Sequence, residues 1–368
     1  MFPALLLLPL STFGCTILIR EMTMKTYRLI GVALVAAFVI LGTGCSKTPV
    51  AKHGRLSLEG TQLVDSHGEP VQLRGFSTQH IAKSEMFVTP RYLKELREDF
   101  ASNVIRVAMY TNRRDYGYLM SPELKEVVKR VVKYATDAGL YAIIDWHILA
   151  DRNPMDHLEE SKAFFDDMSK EFASYKNVLY ELCNEPNGDD VTWSEDIKPY
   201  AEEVTAVIRK NDPKGIILVG TPFWSSRPQD VLEDPLDDPV TMYVFHFYPD
   251  TTNDGSRENI DRVLEEIPLF CTEFGASEHT GGGKIYPAEI RRWMDFMDER
   301  NISWCNWNLS ALHESSAALQ ISFKLGTEMR LADKLSPSGE LIRYYMMRGR
   351  VPDEDLVTPS FLDEEIVQ

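Results

Sequence analysis

The sequence predicts an α/β chain folded as a (β/α)8 TIM barrel with a small N-terminal β-hairpin, on three observations. Eight short apolar runs recur between Val71 and Trp307. Amphipathic stretches at helical spacing separate them, and the runs carry their polar and aromatic residues at their C-terminal ends. A parallel sheet covered by helices reads as apolar strands alternating with one-sided helices. Eight such units over roughly 250–300 residues is the arithmetic of a closed barrel.

Residues 1–45 read as a targeting segment. The apolar run at 29–41 follows the basic Lys25 and Arg28, is too short to span a bilayer, and fits the hydrophobic region of a secretory signal with Met22 or Met24 as initiator. Leu41-Gly-Thr-Gly-Cys45 is similar to a bacterial lipoprotein processing box, with the leucine four places before the cysteine where three is usual. Lipidation of Cys45 ranks above ordinary signal cleavage. A lipid there would anchor an exported protein to the cell envelope through a short tether, residues 46–54, without a spanning helix; without it the protein is secreted.

The hairpin is expected over residues 55–65, turned by His67-Gly68-Glu69, at the barrel's N-terminal end. The barrel strands are expected at 71–75, 104–109, 141–145, 178–182, 216–219, 242–245, 269–272 and 302–307. Helices start at Thr89-Pro90, with Tyr92, Leu93, Leu96 and Phe100 on one face, and at Ser121-Pro122, with Leu124, Val127, Val128, Val131 and Val132, closing near Gly139. Later apolar faces are Phe164, Phe165, Met168 and Phe172; Ile197, Tyr200, Val204 and Ile208; Ile260, Val263, Leu264 and Ile267; and Ile290, Trp293, Met294 and Met297. A doubly wound open sheet is disfavoured because no glycine-rich phosphate loop follows any strand. One domain thus spans 55–350, and residues 351–368 form an acidic, proline-broken tail.

Composition excludes several classes. Apolar residues make up 44% and charged residues 26%, the balance of a globular protein with ample core. The net charge of −17 disfavours nucleic acid and anionic membrane surfaces as partners. Cys183, Cys271 and Cys305 are an odd number in apolar runs, so they read as buried hydrophobes and form no disulfide framework. His147, His157 and His246 show no His-Glu-x-x-His or comparable spacing, so no metal and no cofactor is expected.

Two strand ends carry the chemistry. Residues 178–186 (VLYELCNEP) deliver Glu185, and residues 268–275 (PLFCTEFG) deliver Glu273. Two carboxyl groups at one rim suit glycosidic bond cleavage, in which one protonates the leaving oxygen and the other attacks or activates water. Arg106, His147, Asn184, His246, Tyr248 and Trp307 occupy other strand ends and would converge on the same rim. Trp146, Trp193, Phe223, Trp224 and Tyr110 lie just past strand ends, where they could stack on sugar faces.

Seven segments, Leu73-Arg-Gly-Phe-Ser-Thr78, Asn103-Val-Ile-Arg106, Asp145-Trp-His147, Leu182-Cys-Asn-Glu-Pro186, His246-Phe-Tyr-Pro249, Thr272-Glu-Phe-Gly275 and Trp307-Asn-Leu-Ser310 followed by Glu314-Ser-Ser-Ala317, resemble in order the motifs of glycoside hydrolase family 5, most closely its bacterial endoglucanase branch. The resemblance implies a monomeric retaining endo-β-1,4-glucanase, with a β-glucan as polysaccharide partner, Glu185 as acid/base, Glu273 as nucleophile, and Asn184 on the sugar 2-hydroxyl. Mannan or xyloglucan as substrate, or a silent glycan-binding lipoprotein, are the alternatives. Two positions depart from the family. Gln79-His80-Ile81 stands where a histidine then glycine is usual, and Ala311-Leu312 where Asp-Lys is usual. Both positions in the family contact the sugar one unit beyond the cleaved residue, so Gln79 and His80 are candidate substrate contacts and specificity is expected to be altered there.

Overall fold

The computed structural model describes residues 47–326 and 328–362, with the backbone of residues 366–367. The targeting segment, including Cys45 and its expected lipid, lies outside the described residues. From Thr48 onward, β1 (Ser57–Glu59) and β2 (Gln62–Val64) pair as the antiparallel hairpin expected over 55–65, but it turns at residues 60–61, and the His67-Gly68-Glu69 segment forms a separate turn after β2. Then follow β3 (Arg74–Thr78), β4 (Val104–Tyr110), β5 (Tyr141–His147), β6 (Val178–Glu181), β7 (Ile216–Val219), β8 (Thr241–Phe247), β9 (Leu269–Phe274), β10 (Lys284–Ile285), β11 (Trp304–Leu309) and β12 (Ile366–Val367). Strands β3 to β9 and β11 are parallel neighbours in sequence order and close into an eight-stranded barrel through the pairing of β11 with β3. β10 pairs antiparallel with β12, so part of the acidic tail is held to the body.

Period-two alternation sorts the strand side chains. On β5, Tyr141 and Ile143 fill the lower barrel with Leu73, Val104, Leu179, Leu218 and Phe270, and Leu56 and Leu63 of the hairpin region join them as a plug. Ala142, Ile144 and Trp146 point the other way, into the larger core shared with the helices. Asp145 and His147 continue the inward row and rise to the open end.

Helix boundaries follow local chemistry. Thr89 caps Pro90–Asp99 by accepting from Tyr92 N, and Gly139, at φ 74°, ends Leu124–Ala138 in the left-handed conformation that glycine adopts freely. The β7–β8 connection departs from the expected helix and has the short turns Pro222–Ser225 and Pro228–Val231 instead. Four prolines at 222, 228, 235 and 239 prevent a continuous helix there.

Most barrel strands shift at an end by one or two residues from the sequence expectation, and three differences have a local cause. The first barrel strand begins at Arg74 because Val71 N bonds back to Leu63 O, tying the predicted strand start to the hairpin. The last begins at Trp304 because Ile302 N caps the preceding helix at Met297 O. Residues 49–53, read as part of a tether, form a helical turn whose Val50 N bonds Gly139 O. Among the described residues, no helix is long and apolar enough to cross a membrane.

Candidate active site

The C-terminal ends of the barrel strands converge on an open cleft of about 860 Å³, lined by Glu185, Glu273, His147, His246, Tyr248, Trp307, Gln79, Tyr110, Phe223 and Trp224 among others. Arg106 and Asn184 lie beneath this surface, fully buried. One donor atom each of Glu185, His246 and Glu273 lies within 4.8 Å of the others.

Arg106 organises the floor. Its Nε and Nη2 grip Glu181 at 2.7 and 2.9 Å, Nη2 also reaches Asp145 at 2.9 Å and the Asn184 carbonyl at 2.6 Å, and Nη1 donates to Glu273 at 3.1 Å. Burying this guanidinium is tolerable because its donors are met by carboxylates in fork geometry. Tyr248 donates its hydroxyl to the other Glu273 oxygen at 2.8 Å. Gly275 makes room for that ring, since a Cβ there would stand 2.4 Å from Tyr248 Cε1.

Glu185 receives no cation directly. Burial pushes its carboxyl up to about 8, with Arg106 opposing and the Asp145 and Glu181 charges reinforcing the rise. Burial and the charge of Glu185 also raise Glu273, against His246, Arg106 and His147. The two carboxyls titrate as a pair. The proton of the pair belongs on Glu185, because Glu273 has two hydrogen-bond donors, one of them cationic. With Glu185 neutral, its upward push on Glu273 disappears. One acid and one carboxylate therefore face the cleft together.

The histidines are neutral. Burial, with Arg106 nearby, lowers His147 to about 3, and burial lowers His246 to about 4. His147 Nδ1 lies 2.6 Å from Asp145, which sets its proton on Nδ1, and its ring stacks with Tyr110 at 4.3 Å and with Trp307 at 5.4 Å. His246 Nδ1 faces Glu185 at 2.8 Å and Nε2 faces Thr272 at 2.9 Å. The Asn184 amide nitrogen donates to Ile148 O at 3.0 Å and approaches His147 Nε2 at 3.3 Å. A sugar hydroxyl would compete with the longer of these contacts.

Other sequence expectations sort differently. His80 is buried, stacks on Tyr110 and lines a smaller adjoining pocket with Lys83 and Arg114, outside the main cleft wall. Leu312 is exposed and away from the cleft lining. Trp146 and Trp193 are core residues, packed on Phe164 and Tyr243 respectively, so they offer no sugar platform. Trp146 had a signal: the alternation that turns Asp145 and His147 inward turns it outward. Phe223 and Trp224 are 36% and 42% exposed and sit at φ 58° and 56°. Bulky residues rarely adopt that conformation, and such outliers gather at binding sites. Trp224 N to Pro186 O at 3.0 Å and Ser225 Oγ to Asn184 O at 2.7 Å fasten this turn to the Glu185 strand end.

Asp145, Thr272 and Glu314 fall within the family-like segments, but the sequence assigned no role to them or to Glu181. Glu314 lines the cleft and takes a bond from the Asn308 amide at 2.8 Å. The other three lie in the floor; alternation puts Asp145 on the face of His147 and Glu181 on the face of Glu185, whereas Thr272, next to Glu273, carries no such signal.

The family model described as cellulase (glycosyl hydrolase family 5) matches residues 64–313. Endoglucanase A of Evansella cellulosilytica is 47% identical over 277 residues, 75% of this chain and 56% of that protein. Endoglucanase 5 of Pectobacterium carotovorum is 42% identical over 308 residues, 83% of this chain and 60% of that protein. The chain thus spans less than two thirds of the length of these relatives. The crystallised catalytic domain of Thermobifida fusca endoglucanase Cel5A, solved also with cellotetraose, superposes with a TM-score of 0.76 at 37% identity, covering 82% of this chain and 100% of that one.

Proposed function

We propose a function from one established premise: the chain belongs to glycosyl hydrolase family 5, the cellulase family. It is a retaining endo-β-1,4-glucanase acting on internal bonds of cellulose or a related β-glucan. The observation that carries this reading is the unlike pair at the cleft, a neutral Glu185 and a charged Glu273 whose oxygens lie within 4.8 Å. That spacing fits the closely set carboxyls of a retaining mechanism and not the wider pair of an inverting one.

Glu273, held by Arg106 and Tyr248, attacks the anomeric carbon while Glu185 gives its proton to the departing glycosidic oxygen. The enzyme–sugar ester so formed is then hydrolysed by water, whose proton returns to Glu185. Trp307 and Tyr110 floor the cleft near the carboxyls, and Phe223 with Trp224 extend an apolar platform along it, suited to the C–H faces of sugar rings. The test is release of reducing ends from soluble cellulose, mixed-linkage glucan, xyloglucan, mannan and xylan. Cleavage of the glucans, lost in Glu185→Gln and Glu273→Gln, supports the reading; cleavage confined to mannan or xylan refutes the assigned substrate.

The site acts at the cell envelope, with the protein anchored by a lipid on Cys45. The apolar run at 29–41 and the small residues before Cys45 support this. Mass spectrometry of the N-terminal peptide tests it: a diacylglyceryl mass on Cys45 is expected, and an unmodified N-terminus beyond it refutes the anchor.

A further inference from the structure

We infer that Thr272 and Glu181 are positioning residues that fix the tautomer of His246 and thereby hold Glu185 in its proton-bearing form. The inference rests on Glu185 as acid/base.

Glu181 can only accept: Arg106 Nε–H reaches Oε2 at 2.7 Å and Nη2–H reaches Oε1 at 2.9 Å. The Thr272 hydroxyl has one hydrogen, and it donates that to Glu181 Oε1 at 2.7 Å. Thr272 Oγ1 therefore meets His246 Nε2, 2.9 Å away, as an acceptor, and the ring hydrogen sits on Nε2. A neutral imidazole carries one N–H. Nδ1 is left as a bare lone pair 2.8 Å from Glu185 Oε1. A hydrogen bond spans that gap when Glu185 brings the proton; an ionised Glu185 would set oxygen against nitrogen lone pair.

This gives the acid a built-in preference that burial alone lacks. Before the first step the relay stabilises Glu185 as a donor. After the proton has left with the sugar oxygen, the same lone pair disfavours the carboxylate and favours its recovery of a proton from the incoming water. The charged and titratable groups around the pair come from β4, β5 and β9 and from the pair's own strands, β6 and β8. Arg106 lowers the Glu185 pKa, Asp145 and Glu181 raise it, and His147, Glu273 and Tyr248 complete the surround. Replacing Thr272 changes none of their charges.

The test is the pH profile of kcat/KM for Thr272→Val in the full chain, with Thr272→Ser alongside. Without the hydroxyl, His246 is free to place its hydrogen on Nδ1 and donate to an ionised Glu185. The alkaline limb then moves to lower pH by about one unit, the worth of one hydrogen bond to a charged group, and serine restores it. A uniform fall in rate with both limbs in place would show a merely structural threonine and overturn the inference. Nitrogen-15 resonances of His246 in the unsubstituted chain are expected to report hydrogen on Nε2, and hydrogen on Nδ1 would overturn it independently of activity. Full turnover by Glu185→Gln would sink the acid/base assignment instead, with the tautomer still read by the resonances.

Discussion

Arg106 faces Asp145, Glu181 and Glu273 with one positive charge, so the floor it holds is sensitive to the shape of the cation as well as its sign. Arg106→Lys keeps the charge and loses the fork that serves several acceptors at once. The expected outcome is a loss of stability of about 1–3 kcal/mol, the usual cost of leaving a buried acceptor without its donor, read as a lower denaturant midpoint, with turnover falling in parallel. For the carboxyl pair, Glu185→Gln should lower kcat on glucans by about 10²–10⁴. It should spare the first step on an aryl cellobioside whose phenol departs without a proton, seen as a burst of phenol. Glu273→Gln should abolish that burst. Because Glu185 loses its proton near pH 8, kcat/KM of the parent should fall as pH rises through that value. Glu185, Glu273, His246 and Tyr248 were legible in the sequence because each stands at the end of an apolar run beside a Pro, Gly or aromatic. Glu181 and Thr272 were not, because a polar residue inside such a run reveals nothing of a partner that only barrel closure brings near.

At the scale of elements, the turn at Pro222–Ser225 does two things: it exposes two rings and bonds the backbone of the Glu185 strand end. Trp224→Ala should weaken binding of longer cello-oligosaccharides by about 0.5–1.5 kcal/mol, the range for a stacked aromatic. It should leave kcat nearly unchanged, which KM against oligosaccharide length would read out. Gly275→Ala acts oppositely: the added methyl displaces the Tyr248 ring, so kcat should fall with KM little altered. Helix positions were readable from apolar spacing and caps such as Thr89 and Gly139. The first and last barrel strands were misplaced by two or three residues because Val71 and Ile302 are apolar for other duties, one tied to the hairpin and one capping a helix.

At the scale of the whole molecule, the site is maintained at the expense of stability. Folded Glu185 holds its proton to about 8, whereas its ordinary value is 4.5, so between those pH values the native state binds a proton that the unfolded chain lacks. Stability therefore falls as pH rises through that window. Glu185→Gln, neutral throughout, should be the more heat-resistant protein at pH 8 by about 1–2 °C per kcal/mol recovered, and the difference should vanish at pH 4 in a calorimetric scan. The barrel itself was legible from eight apolar runs, since burial on both faces leaves a parallel strand few alternatives. Its closure has a further consequence, for the order of events during folding. β3 pairs with β4 nearby and with β11 more than two hundred residues later, Trp304 opposite Arg74. Until residue 309 has joined, the growing sheet has two bare edges able to capture strands from another chain. The finished barrel has no such edge, so the hazard belongs wholly to the unfinished molecule.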